Sequence, residues 1–245
     1  PASMPYGVER DEAIPVARYG SSNAGRFKTV YRIGLGHRYG RSMQTIAGIH
    51  YNFSLPDTFW TALQALEGNT LPLDVFKTER YFDLIRNFRR YFWILIYWFG
   101  ASPAVAAPFV ADKPHQLIPT PFASDTFYLP YATSLRMGNL GYQSDVQTNL
   151  SVSYNTLSAY LQDLTQAITQ SHPVYESIGI TGEEGDYRQL NTSILQIENE
   201  FYSSIRPKRT AKSGETALQA LDRRGVEYIE VRCVDVNPDE PLGIT

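Results

Sequence analysis

The stretches LQIENEFYSSIRPKR at residues 195–209 and GVEYIEVR at residues 225–232 carry the strands that decide the fold. Apolar and charged residues alternate in them, which is typical of strands with one buried face. The pattern predicts a strand from Leu190 to Tyr202 and another from Glu227 to Val236. Carboxylates, a tyrosine and fixed cations then share two short strands. That combination suits an enzyme that handles a magnesium nucleotide and an amino-acid substrate.

The rest of the chain mixes helical and extended patterns. Apolar periodicity and end signals predict helices over residues 26–43, 56–68, 78–99, 156–169 and 216–224. Asn155 is the expected N-cap of the fourth helix. Ile49 to Leu55 alternates as a strand with Ile49, Tyr51, Phe53 and Leu55 on one face, and residues 100–127, with their five prolines, predict a loop. Strands do not alternate strictly with helices, so we expect an α+β fold with antiparallel pairing.

Composition limits the class of protein. The chain has 245 residues, a net charge of −3 and a single cysteine, Cys233. The charge does not favour a nucleic-acid binder, and one cysteine excludes an internal disulfide and fits a reducing cytosol. The chain starts at Pro1 without a methionine and stops just after a strand, so we interpret it as the middle of a longer protein.

One apolar run has the length of a membrane helix. No charge occurs from Tyr91 to Ala111, but Gly100, Pro103 and Pro108 interrupt the run. Prolines and glycines of this kind end a helix. A helix that ends near Gly100 and is buried in the core of a water-soluble protein is therefore the preferred interpretation. No membrane partner is expected.

Glu230 and Arg232 are two residues apart on the last predicted strand and therefore share a face. They form either a plain ion pair or a site in which Glu230 binds Mg²⁺ and Arg232 contacts phosphate. Glu198 and Glu200 would share a face of the earlier strand. Three acids on nearby strands repel one another unless water or a divalent cation lies between them.

Other polar groups leave several interpretations open. The basic residues from Arg206 to Lys212 are a solvated loop, a lid over ATP phosphates or, least favoured, a nucleic-acid patch. His50 is on the polar face of its strand, where a histidine more often forms a hydrogen bond than binds a ligand. Cys233 alternates inward beside Val231 and is expected in the core.

Several longer runs resemble one enzyme family. They are YGSSNAGRFKTVYR, QTIAGIHYNFSLP, FGASPA, LPYATSLRM, LQIENE, IRPKR and EYIEVR. Together they resemble the proteobacterial type of glutamate–cysteine ligase, also called γ-glutamylcysteine synthetase. The resemblance implies ligation of the L-glutamate γ-carboxyl to the L-cysteine amine through a γ-glutamyl phosphate, the first step of glutathione synthesis. It implies ATP as co-substrate, Mg²⁺ or Mn²⁺ as cofactor, and a cytoplasmic location.

The same resemblance implies a glutamine-synthetase-like antiparallel sheet with packed helices. Residues 1–245 would be the central portion of a single catalytic domain, truncated at both ends. The family's other magnesium-binding acids would precede residue 1, so we expect the isolated chain to be inactive.

The resemblance also assigns site residues. Those lining the cysteine pocket would be Tyr31, Leu35, Gln44, Tyr142 and Tyr202. Those near glutamate, metal and nucleotide would be Arg136 and Arg32 on glutamate, His50 beside glutamate and metal, Glu230 on metal, Arg232 on phosphate and Asn199 near the nucleotide. Arg136 and Arg232 would act in catalysis. Replacing Arg136 by alanine should then weaken glutamate binding by about 2–5 kcal/mol at unchanged fold stability.

Two alternatives differ from this assignment. The chain could come from a module that keeps the amino-acid pocket without doing chemistry, or from a related ligase that uses a different amine. A different amine would change the pocket tyrosines, and no such change is evident. A structural or nucleic-acid role ranks last.

Overall fold

A computed structural model describes residues 2–8, 10–111, 113–140 and 145–244. Its helices are α1 (Asn23–Tyr39), α2 (Asp57–Leu66), α3 (Leu73–Tyr91), α4 (Trp93–Phe99), α5 (Ala107–Val110), α6 (Asp145–Thr148), α7 (Leu157–Thr169), α8 (Pro173–Ile178) and α9 (Ala217–Arg224). Its strands are β1 (Ile49–Phe53), β2 (Ala104–Ala106), β3 (Ile118–Pro119), β4 (Thr126–Tyr128), β5 (Ile205–Lys208) and β6 (Tyr228–Val234). The α+β class is confirmed, and the likeness to glutamine synthetase stays a prediction.

The main sheet has the strand order β1–β6–β5, with both outer strands antiparallel to β6. The strand predicted from Glu227 to Val236 is confirmed as β6. Its burial alternates, because Ile229 faces the core while Glu230 and Arg232 face the opposite side. The register places Arg206 of β5 directly opposite Glu230. The polar face of this sheet therefore concentrates charged residues.

The core lies on the other face of the sheet, where α3, α7 and α9 pack. Helix α3 buries Phe76, Tyr81, Phe82 and Ile85 almost completely. Cys233 lies in the same core at 2% exposure, as expected. Burial raises the pKa of its thiol to about 11, so the group is a neutral thiol at pH 7.

The strand predicted from Leu190 to Tyr202 is wrong, because this segment is irregular and contains one isolated bridge, at Ser193, and a 3₁₀ turn. Side chains replace the ladder that a strand would need. The Glu200 carboxylate accepts the Gln196 backbone N–H at 2.7 Å, and the Gln196 amide oxygen accepts the Leu190 N–H at 3.0 Å. Glu198 and Glu200 consequently do not share the face of a strand.

The first strand is shorter and less regular than predicted. Strand β1 ends at Phe53, and its register on β6 shifts between Ile49 and Tyr51. Tyr51 is 60% exposed rather than turned into the core, because β1 is an edge strand of the described sheet. An irregular pair at an edge breaks the simple alternation that the sequence shows.

The long helix predicted over residues 78–99 is two helices in the structure. Helix α3 begins earlier, at Leu73, and the break lies at Phe92. The Phe92 carbonyl accepts bonds from Leu95 and Ile96, so the chain tightens there before α4. Within the described ranges, no helix has both the length and the apolarity needed to cross a membrane.

Residues 100–127 are not the predicted loop. They contain α5 and the strands β2 and β3. These strands pair with β4, which begins at Thr126, in a second antiparallel sheet of order β2–β4–β3. Each of these strands has at most three residues, which is too short to show a period of two in the sequence.

Capping side chains set the ends of three helices. Ser22 accepts the Gly25 N–H at 3.1 Å, so α1 begins before the predicted residue 26. Thr156, not Asn155, caps α7. Thr216 forms a complete capping box at α9, which confirms the last predicted helix.

Candidate active site

A cavity of about 760 Å³ lies between α1 and the polar face of the main sheet. Nearly all the predicted site residues line it, namely Tyr31, Arg32, Leu35, Gln44, His50, Arg136, Asn199, Tyr202, Glu230 and Arg232. The one exception is Tyr142, which lies outside the described residues. Side chains from distant parts of the sequence thus meet at one place. Their individual roles stay predictions.

One wall of the cavity is apolar and aromatic. Tyr31 and Leu35 are one turn apart on α1 and face the cavity together. Gln44 lies in the 3₁₀ turn at Ser42–Thr45, just after the end of α1. It is fixed there because its side-chain N–H donates to the Arg32 carbonyl at 3.0 Å. Tyr202 lines the same cavity, and burial raises the pKa of its phenol, which is neutral at pH 7. Such a wall can enclose a small, uncharged side chain.

The floor of the cavity is charged. On β6, an Arg232 Nη lies 3.0 Å from a Glu230 carboxylate oxygen. The other oxygen is 3.6 Å from Nδ1 of His50, and Lys208 Nζ of β5 approaches Glu230 to 4.0 Å. The Glu230 side chain is only 12% exposed. This carboxylate is therefore surrounded by basic groups on a partly dehydrated surface.

These neighbours set the protonation states. Burial alone would raise the pKa of Glu230, but the positive charges of Lys208 and Arg232 outweigh it and the pKa is lowered. Burial and the charge of Arg232 lower the pKa of His50. At pH 7 Glu230 is ionised and His50 is neutral, which are the forms in which a carboxylate and an imidazole bind cations.

Arg136 reaches the cavity while it holds the fold together. Its Nε donates to the buried carboxylate of Asp235 at 2.7 Å, and both Nη atoms donate to the Arg232 carbonyl at 3.2 Å. Gly48 lies so close that a Cβ there would come within 2.7 Å of Nη1. One N–H on each Nη is left for a ligand. The structure therefore contradicts the expectation that Arg136 can be replaced by alanine without a loss of fold stability.

The expected grouping of acids does not form. Glu198 accepts the Ala217 N–H at the start of α9 at 2.9 Å. Glu200 is paired with Arg38 at 3.1 Å, and both side chains are almost completely buried. Within the described ranges, no three His, Cys, Asp or Glu residues are placed to hold a metal ion. Glu230 and its neighbour His50 line the cavity, as does Glu200, but Glu200 is already paired with Arg38.

Further basic residues line the cavity, namely Lys28, which was not predicted, and Arg206 and Lys208. The last two belong to β5 and Arg206 is buried, so this part of the basic segment is not a solvated loop. Lys28 is four residues before Arg32 on α1, so the two share a face of the helix. Arg206 and Lys208 are two residues apart on β5 and share a face of the strand. In total, six described arginines and lysines line the cavity with two glutamates, Glu200 and Glu230. The excess of positive charge fits an anionic ligand.

Comparison with known proteins identifies the family of this chain. A family model described as glutamate-cysteine ligase matches residues 1–245. A glutamate–cysteine ligase of Saccharophagus degradans is 60% identical over 243 residues, which cover 99% of this chain and 46% of the relative. One of Alcanivorax borkumensis is 57% identical over 246 residues, with the same coverage. The chain thus spans about half the length of the relatives that it matches.

Solved structures agree. The crystal structure of a glutamate–cysteine ligase of Francisella tularensis in complex with AMP matches all of this chain with a TM-score of 0.90 and 45% identity. The match covers 47% of that protein. A bifunctional glutathione synthetase of Pasteurella multocida matches with a TM-score of 0.67 and 28% identity, over 26% of its length. The chain therefore belongs to the glutamate–cysteine ligase family.

Proposed function

We propose that the protein containing this chain joins the γ-carboxyl of L-glutamate to the amine of L-cysteine, with ATP and Mg²⁺ or Mn²⁺. The observation that carries the proposal is the cavity, which combines an aromatic wall with a cationic floor around one carboxylate. The AMP-bound Francisella relative, with a TM-score of 0.90, supports a nucleotide in this fold. We place residues 1–245 within one catalytic domain of a cytoplasmic protein.

The reaction needs an activated acyl group, because a carboxylate is a poor acyl donor. Transfer of the ATP γ-phosphoryl to the glutamate γ-carboxylate gives a γ-glutamyl phosphate and ADP. The cysteine amine then attacks the carbonyl carbon, the C–O bond to phosphate breaks, and the amine loses a proton. The residues of this chain position the reactants and offset the phosphoryl charge, with Arg232 and Lys208 on the floor as the groups placed to do so.

The cavity has complementary ends for the two amino acids. We assign the wall of Tyr31, Leu35, Gln44 and Tyr202 to the cysteine side chain, because aromatic rings and an amide enclose a small thiol without charging it. The free N–H groups of Arg136 and the nearby Arg32 suit the glutamate carboxylate. Tyr142 stays a prediction for the same wall.

The donor set fits a hard divalent cation in part. Glu230 supplies one ionised carboxylate. In nucleotide sites Mg²⁺ is bound through one or two carboxylates together with phosphates and water. His50 is a nitrogen donor and is better suited to orient Glu230 than to bind Mg²⁺ itself. A bound cation would supply charge stabilisation for the phosphoryl group. We place its remaining acidic ligands in the part of the relatives that this chain does not span.

The test uses the protein translated from the complete reading frame. ADP release is measured with Mg-ATP and glutamate alone, cysteine alone, or both. We expect release that requires glutamate and is stimulated by cysteine, with γ-glutamylcysteine accumulating. Release stimulated by another amine instead would favour the related ligase. Amino-acid binding without ADP release, from well-folded protein, would favour the binding module.

Lys208 provides a test of the cationic floor. In the complete protein, Lys208→Met should raise the KM for ATP about tenfold, because a charge-assisted contact contributes roughly 1.5–3 kcal/mol. The KM for cysteine should stay within about twofold, since Lys208 lies on the floor and not on the aromatic wall. Lys212→Met is the matched control, because Lys212 does not line this cavity. Equal effects of both variants would refute a specific role.

A further inference from the structure

A buried polar network lies behind the aromatic wall of the cavity. The Glu200 carboxylate accepts from Arg38 Nη1 at 3.1 Å, from the Tyr39 hydroxyl and from the Gln196 N–H at 2.7 Å. The exposed fractions of the Arg38 and Glu200 side chains are 0% and 1%. Burial and the charge of Glu200 raise the pKa of Tyr39, so its phenol stays protonated as a donor.

Arg38 is held on every side. Its Nε donates to the Gln189 amide oxygen at 2.9 Å, and Nη2 donates to the Asn191 carbonyl at 2.8 Å. Its guanidinium also lies 3.9 Å from the ring centre of Tyr175. The last turn of α1 is thereby fastened to the irregular segment that carries Asn199 and Tyr202.

Gln147 of α6 extends the network to the cavity wall. Its amide N–H groups donate to the Tyr39 hydroxyl at 3.0 Å and to the Glu200 carbonyl at 3.4 Å. Its amide oxygen accepts the Tyr202 backbone N–H at 3.3 Å. The backbone of Tyr202 is thus fixed by Gln147, and Gln147 is in turn held by Tyr39 and by the Glu200 carbonyl.

The opposite side of the wall is fixed to the same segment. A Cβ on Gly34 would lie 2.1 Å from the Gln196 amide oxygen, so α1 approaches this side chain with bare backbone. The Gln196 side chain also donates to the Tyr31 carbonyl at 3.4 Å. The two faces that enclose the proposed thiol pocket, on α1 and at Tyr202, are therefore joined through Gln196 and Glu200.

Buried ion pairs add little net stability, because desolvation opposes their attraction, but they fix geometry where every donor and acceptor is matched. We propose that Arg38, Glu200 and Gln147 are positioning residues that set the width of the amine-substrate pocket and hence its selectivity for cysteine. The inference rests on the proposed function. Arg38 and Gln147 do not line the cavity, and Glu200 lines it with a side chain that is only 1% exposed, so none of the three needs to touch a substrate. The charged floor around Glu230 is held by other contacts.

The test compares Glu200→Gln and Gln147→Ala with wild type in the complete protein. The amide keeps the shape of the carboxylate but loses its charge and adds donors beside Arg38. We expect the KM for cysteine to rise about tenfold and the kcat/KM preference for cysteine over L-serine to fall, since small misplacements of a binding wall have effects of that size. The KM for ATP should change less than the KM for cysteine, because Arg232 and Lys208, which we assign to phosphate, are held by Glu230 and not by this network.

Glu215→Gln is the matched control, because Glu215 forms a 2.7 Å pair with Arg224 that does not line the cavity. It should leave both KM values unchanged. Gln147→Ala carries the test if Glu200→Gln does not fold. A change in melting temperature alone, or equal rises in the KM for ATP and cysteine, would overturn the inference. No γ-glutamylcysteine from the folded wild-type protein would instead refute the proposed function.

Discussion

Replacing Arg136 by methionine is expected to lower the free energy of unfolding by about 3–5 kcal/mol, because removal of one partner of a buried ion pair leaves the other charged and unpaired. That partner is Asp235, whose side chain has no exposed surface. Asp235 would keep the Ser102 hydroxyl at 2.6 Å and the Ala101 N–H at 3.0 Å, which offset only part of the loss. Urea unfolding of the complete protein measures the effect.

A double variant separates folding from binding. Adding Asp235→Asn to Arg136→Met removes the orphaned charge, so most of the lost stability should return. Glutamate binding should not return, because the guanidinium that we assign to the substrate is still absent. Full stability in the Arg136→Met protein would show that Asp235 is neutralised in another way. Unchanged glutamate affinity in the folded double variant would remove Arg136 from the substrate site.

Glu230→Gln is expected to lower kcat by about 100-fold or more, since loss of several kcal/mol of charge stabilisation costs a factor of ten for every 1.36 kcal/mol. The amide has the shape of the carboxylate but cannot neutralise a cation. Binding of Mn²⁺, followed by its paramagnetic signal in the presence of ATP, should weaken in parallel.

Glu227→Gln is the control for the loss of a charge. Glu227 precedes β6 and accepts the Thr210 N–H at 2.9 Å, and it does not line the cavity. Its activity should match wild type. If Glu230→Gln retains wild-type kcat and Mn²⁺ binding, the carboxylate is only the counter-ion of Arg232 and Lys208.

The sequence was informative where one local rule decides the structure. Strand β6 alternates from Tyr228 to Cys233, and α9 has both its Thr216 cap and Gly225 just beyond its last residue, so each was predicted closely. The resemblance then indicated the cavity residues that the fold brings together. Two strands of the main sheet, β1 and β6, could be outlined from their alternation, whereas β5 falls in the basic segment that was interpreted as a loop, a lid or a patch.

The remainder depends on contacts between distant residues. The segment around Glu200 has the alternation of a strand, but its carboxylate binds Arg38 of α1, more than 160 residues earlier. No local pattern shows such a bond. The pair of Arg136 with Asp235 was missed for the same reason. Short strands such as β3 were missed because two residues show no period.

The inward direction of Cys233 has a consequence for redox chemistry. The proposed substrate, cysteine, is itself a thiol and can be oxidised to a disulfide. Thiol–disulfide exchange needs an accessible thiolate, and a thiol with a pKa of about 11 is ionised to only about one part in ten thousand at pH 7. Being 2% exposed as well, the chain's only sulfhydryl is insulated from mixed-disulfide formation with its own proposed substrate.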